Sequence, residues 1–181
     1  MKSPNRDALL IACKALILPI QGVMAVAGGL MALLAIASPF FANYFDTEMQ
    51  AEIGPDFVAM PVGAVVGLLL LVSMACALAF LFFGKLREII NSVAAGDPFA
   101  PQNADRLSAM AWFQIGLYSM RFIVPVIESA IMEWRLQFSE ARVSDGLDLN
   151  VFQIVLILTL FILARVFSHG AAMRDDLEGT V

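Results

Sequence analysis

The sequence predicts an all-α integral membrane four-helix bundle, and three observations carry that prediction. Of the 181 residues, 60% are hydrophobic, with a mean hydropathy of +0.83, well above the roughly half-apolar usage of soluble domains. Four apolar runs, at 15–37, 61–84, 107–127 and 151–169, each come close to the about 20 residues that a helix needs to cross a bilayer core. The basic residues fall on alternate connecting segments. Barrel strands are about half this length and alternate in polarity, so runs this long satisfy their backbone groups only as helices. The whole chain, 1–181, reads as a single membrane domain.

Lys and Arg are retained on the cytoplasmic side of a membrane far more strongly than acids are excluded from it. Lys2, Arg6 and Lys14 mark the amino end, Lys85, Arg87 and Arg106 the central connection, and Arg165 and Arg174 the carboxyl end. The segment 38–60 has no Lys or Arg, and 128–150 has Arg135 and Arg142 alone. Both termini and the central hairpin, 85–106, are therefore expected in the cytoplasm, with a cytoplasmic tail at 170–181. The formal charge of -5 comes largely from Asp46, Glu48, Glu52 and Asp56 in one outer loop and Glu128, Glu133, Glu140, Asp145 and Asp148 in the other. Such clusters read as solvated surface. Cys13 and Cys76 are not placed for an external disulfide and read as packing residues.

Helix one starts at Ser3 and Pro4, a cap and a first turn. Its run ends in Ala35, Ala37 and Ser38, which resembles a cleavage pattern, but the apolar core is longer than a signal peptide's and is read as a retained span. Two interleaved series of small residues, Gly22, Ala25, Gly29 and Gly28, Ala32, Ala35, predict a close helix contact. Pro39 to Met60 is expected to be a loop with Phe40, Phe41, Tyr44 and Phe45 at the outer interface. Helix two opens at Pro61, and its Gly63 and Gly67 form a GxxxG pair that suits the seam of helix one.

Helix two is expected to continue into the cytoplasm. Leu86, Ile89, Ile90 and Val93 make an apolar stripe opposite Arg87, Glu88, Asn91 and Ser92. Gly96 suits a left-handed helix stop, Pro98 bars further helix, and Phe99 reads as an anchor. Asn103 is placed to cap helix three, with Asp105 in its first turn. The stretch reads either as a helical hairpin turn or as a docking platform for a cytoplasmic partner.

Helix three carries Gln114, Tyr118, Arg121, Pro125 and Glu128 at spacings of 4, 3, 4 and 3, which puts them on one side. An Arg inside a bilayer costs about 2.5 to 3.5 kcal/mol and marks a site by default. Arg121 lies about 21 Å along the helix from Leu107, within snorkelling range of the outer surface. Two readings stand: a structural anchor paired with Glu128 or Glu133, and a polar pocket that binds an external ligand or senses the bilayer. Arg165 reads as an interfacial anchor near the end of helix four, and His169 as an interfacial residue.

The sequence has no HExxH, CxxC, phosphate-cradling glycine loop or nucleophile elbow, so neither a metal nor a catalytic residue is expected, and no cofactor. The short cytoplasmic parts carry mixed charge, which does not favour direct nucleic-acid binding.

The LREII helix, the GDPFAPQNADRL loop with Gly96, Pro98, Phe99, Asn103 and Leu107, and the ending MRDDLEGTV carry a resemblance. They look like a bacterial four-helix membrane family, the domain of unknown function 2975 type. Members are typically encoded beside a small helix-turn-helix regulator, which the resemblance implies as a partner. On that basis Gly96, Asp97, Pro98, Phe99 and Asn103, with Asp175, Asp176, Thr180 and Val181 in the tail, form the expected docking site. The tail reads equally as a frayed, solvated end.

The expected role is a non-enzymatic regulator in the bacterial inner membrane. The expected partners are the lipid bilayer, that regulator and a second copy of the chain. The alternatives are a small transporter with a polar path along helix three, and a structural packing subunit.

Overall fold

The computed structural model describes residues 4–54, 57–136 and 150–178, with the side chains of 4–13, 133, 175, 177 and 178 outside that description. The described residues form α1 (Pro4–Ile53), α2 (Val62–Ala94), α3 (Pro101–Leu136) and α4 (Val151–Glu178). Each contains a stretch long and apolar enough to cross a membrane. Leu16, Phe40, Leu70, Phe122 and Ile162 are exposed, and α2 buries no residue at all. A water-soluble monomer does not leave apolar surface on this scale uncovered. The chain is a multi-pass membrane protein, and lipid solvates these side chains.

Every helix outruns its apolar segment. The expected extension of α2 is present as far as Ala94. The expected loop from Pro39, in contrast, is helical to Ile53, so Asp46, Glu48 and Glu52 lie on α1. Pro39 has no N–H to give to the carbonyl of Ala35 one turn earlier, and Ser38 Oγ donates to that carbonyl instead, at 3.1 Å. α3 runs past 127 to Leu136, which makes Glu128 a helix residue. The tail expected at 170–181 is helix as far as Glu178. Asp56, Glu140, Asp145 and Asp148 lie outside the described residues.

The chain forms two compact units. In the unit of Val26–Cys76 and Ser119–Asp148, Gly28, Ala35 and Ala42 recur every seven residues and are all buried. A Cβ on Gly28 would sit 3.0 Å from Cys76 Cβ, and Ser73 Oγ donates to the Gly28 carbonyl at 3.0 Å. The seam of α1 is therefore the Gly28 series, met by Cys76 and Ser73 of α2. The expected glycine pair of α2 does not meet it: a Cβ on Gly67 would face Ile127 of α3 at 3.7 Å, and Gly63 has open space. Phe45 meets Trp134 edge to face, with ring centroids 6.4 Å apart. Asp46 Oδ1 accepts the N–H of Met60 at 3.0 Å, which ties the connection to the end of α1.

The second unit comprises Met1–Ala25, Ala77–Tyr118 and Leu149–Val181. Its core is Leu107, Met110, Ala111 and Leu160, with Leu86 and Ile89 of the α2 extension packed against them. Gln21, a buried polar residue on α1, donates through Nε2 to the carbonyl of Phe80 at 3.2 Å. This answers the cost of placing an amide among apolar groups.

Candidate functional site

The α2–α3 hairpin is built by a left-handed stop. Gly96 has φ of 90°; its N–H donates to Val93 O at 3.1 Å and that of Asp97 to Ser92 O at 3.0 Å. This pair of bonds is the Schellman arrangement, which satisfies the last carbonyls of the helix and needs a residue free to take positive φ.

Asn103 does not cap α3. The helix starts at Pro101, whose missing N–H costs nothing in a first turn, and the N–H of Asn103 donates to Ala100 O at 2.9 Å. Asp105 accordingly falls beyond the first turn, which holds no acid. The Asn103 side chain is 0% exposed. Its Nδ2 donates to Ser92 Oγ at 2.7 Å and to Pro98 O at 2.9 Å, and its Oδ1 accepts from Arg106 Nη1 at 2.8 Å. Ser92, expected on the solvent face of α2, turns inward to meet it. Asn103 is thus an internal fastener of the hairpin.

The network continues outward. Arg106 Nε donates to Glu88 Oε2 at 3.0 Å, and Lys85 Nζ reaches the same carboxylate at 3.1 Å. Glu88 lies beyond the apolar run of α2. Burial pushes its carboxyl up, but the hydrogen bonds and charges of Lys85 and then Arg106 outweigh burial, so it titrates below the usual carboxylate value.

The hairpin is clasped to α4. Phe99 packs on Phe167 with centroids 5.5 Å apart, and a Cβ on Gly170 would lie 2.8 Å from Phe99 Cδ1. The absence of a side chain at Gly170 makes the seat for that ring. Arg174 Nη1 is bonded to Asp97 Oδ1, a partly exposed pair. Of the expected docking residues, Gly96, Pro98 and Phe99 are exposed, Asp97 is half-buried and Asn103 is buried. Asp176 is exposed on α4, the Asp175 side chain lies outside the description, and Thr180 and Val181 lie outside the described residues. Sequence reasoning missed Phe167, Gly170, Ser92 and the Glu88–Arg106 bond. Long-range pairings leave no periodic trace, although Gly170, just past the expected end of the fourth run, was a usable sign.

The stripe on α3 is divided between the two units: Gln114 and Tyr118 belong to one, Arg121 and Glu128 to the other. All four are half-buried. Gln114 Oε1 accepts from Gln153 Nε2 of α4 at 2.7 Å, a bond between carboxamides of two apolar helices. Arg165 and His169 are exposed. Among the described residues no group of His, Cys, Asp and Glu is arranged to hold a metal ion. Compared with known proteins, the chain matches no family model, no curated protein and no solved structure.

Proposed function

We propose that the protein is a non-enzymatic membrane regulator that holds a small helix-turn-helix protein at the inner membrane of a bacterium, with both termini and the α2–α3 hairpin in the cytoplasm. The observation that carries this reading is the clasp. Phe99 and Asp97 form a composite surface with Phe167, Gly170 and Arg174 of α4, and this surface keeps an exposed aromatic and a partly exposed ion pair. An aromatic group beside an Arg is the composition that anchors partners. The distribution of Lys and Arg supports the orientation. The resemblance of the central loop and the tail to a four-helix family encoded beside such regulators supports the choice of partner. In this reading Arg121 and its stripe respond to an external or bilayer signal, and the clasp passes it on by holding or releasing the regulator.

Co-purification from native membranes in mild detergent tests the proposal, comparing the intact chain with one carrying Phe99→Ala and lacking residues 173–181. A small helix-turn-helix protein that comes down with the intact chain and is lost from the altered one supports it. If neither form retains such a protein, tethering is wrong. Arg121→Leu should insert normally and change regulator occupancy; unchanged occupancy removes the sensing role. No observation favours transport: Gln114 is already engaged with Gln153.

A further inference from the structure

The contacts of one unit bring basic side chains from three helices to one level, beside exposed apolar surface. Arg106 reaches Glu88, the neighbour of Arg87, at 3.0 Å. Leu107, next along α3, packs in one cluster with Leu160 and Ala164, and Ala164 precedes Arg165. Arg87 and Arg165 therefore lie within about one helical turn of each other along the helices. On α1, Lys14 precedes Gln21 by about 10 Å of helix, and Gln21 lies against Gly84 at the end of the apolar run of α2. Because α1 and α2 are joined through the short connection 54–61 and run antiparallel, Lys14 comes to the same end as Arg87.

Two of the neighbouring acids are already committed: Glu88 is held by Lys85 and Arg106, and Asp97 by Arg174. Asp105 is exposed beside Arg106 on α3, and no ion pair among the described residues joins it to Lys14, Arg87 or Arg165. Arg87 and Arg165 are exposed and Lys14 is half-buried, and no ion pair among the described residues uses them. On the other side of this level stand exposed apolar groups: Leu16 and Leu18, Leu81, and Ile162. Uncommitted cations along the edge of a lipid-facing surface meet the plane where headgroup phosphates lie. Long basic side chains can keep their stems on apolar surface and their charge at that plane.

We infer that Lys14, Arg87 and Arg165 form a belt that binds the headgroups of anionic phospholipid. The inference is independent of the regulator reading. A basic side chain near an anionic membrane surface contributes roughly fivefold to affinity, so the three together are worth about a hundredfold. The attraction falls as salt shortens the screening length to about 3 Å at about 1 M.

The test uses the full chain purified in a neutral detergent and titrated with phosphatidylglycerol or phosphatidylcholine. Bound lipid is counted by native mass spectrometry, and melting is followed in parallel. Phosphatidylglycerol should be retained in preference and should raise the melting temperature; both effects should shrink in about 1 M salt. The preference should disappear in the triple variant Lys14→Gln, Arg87→Gln, Arg165→Gln. Equal retention of the two lipids by the intact chain overturns the inference. So does an undiminished preference in the triple variant, or one that salt leaves unchanged. The salt series on the unaltered chain decides between these outcomes even if the triple variant folds poorly.

Discussion

Replacing Gly170 with Ala sets two effects of known sign against each other, and the structure says which one changes with background. Inside a helix, Gly to Ala is stabilising by about 1 kcal/mol, because the backbone of glycine loses more freedom on folding. At this position the new Cβ would lie 2.8 Å from Cδ1 and 3.0 Å from Cε1 of Phe99. Real Cβ contacts are not that short, so the ring must leave its seat on Phe167. An aromatic pair of this kind is worth about 0.5 to 1.5 kcal/mol beyond its buried area. Phe99 is 43% exposed and sits at a hairpin tip, so the ring can swing outward without a cavity forming in the core. The two terms nearly cancel, and Gly170→Ala alone should leave global stability about where it was. Once Phe99→Ala has removed the ring, the same substitution meets nothing and should stabilise by about 1 kcal/mol. The assay is a double-mutant cycle of thermal or denaturant unfolding in detergent, with the four chains compared at one lipid and salt composition. A coupling of about 1 kcal/mol or more, with Gly170→Ala becoming stabilising in the Phe99→Ala background, is the expected result. An effect equal in the two backgrounds within about 0.5 kcal/mol would refute the clasp as drawn.

Asn103→Ala removes a fully buried carboxamide and leaves the Pro98 carbonyl and Arg106 short of a partner, so it should cost about 2 to 3 kcal/mol in unfolding experiments; a loss under about 0.5 kcal/mol would show that the network does not hold the hairpin. The Glu88 carboxyl titrates below its ordinary value of 4.5 in the folded chain, so its stabilising contribution is complete above that value and is lost as pH falls through the lower, folded pKa. Melting curves of Glu88→Gln and the parent should therefore differ at neutral pH and converge in acid; a gap that stays constant on acidification argues against the Lys85–Glu88–Arg106 bridge. Gly28→Ala places a Cβ 3.0 Å from Cys76 Cβ and should destabilise by about 1 to 3 kcal/mol. Gly29→Ala meets nothing within 4 Å and should be neutral or mildly stabilising, and equal behaviour of the two in a melting series would count against the Gly28 seam.

The membrane class, the existence of four helices, the extension of α2 and its stop at Gly96 were legible because each rests on a local property of the chain. Apolar length alone decides whether a segment can leave water, and a positive φ followed by proline ends a helix wherever it occurs. Helix ends fared worse where composition and backbone disagree. The polar stretch after Pro39 reads as a loop, yet a side-chain hydroxyl repairs the bond that proline removes, and the helix goes on. Two interleaved series of small residues on α1 are equivalent in sequence. Only packing shows that Gly28, Ala35 and Ala42 are buried while Gly29 faces outward. The residues of the hairpin expected to dock a partner fall into different environments, which sequence could not tell apart. Asn103 is a fastener and Phe99 an exposed ring because partners distant in the chain surround the first and cover one side of the second. The sequence by itself determined which solvent this chain lives in and where α2 stops. The tertiary structure decided which polar groups are spent on one another, because hydrogen bonds and ion pairs between helices depend on axial register and rotation, which no single helix encodes.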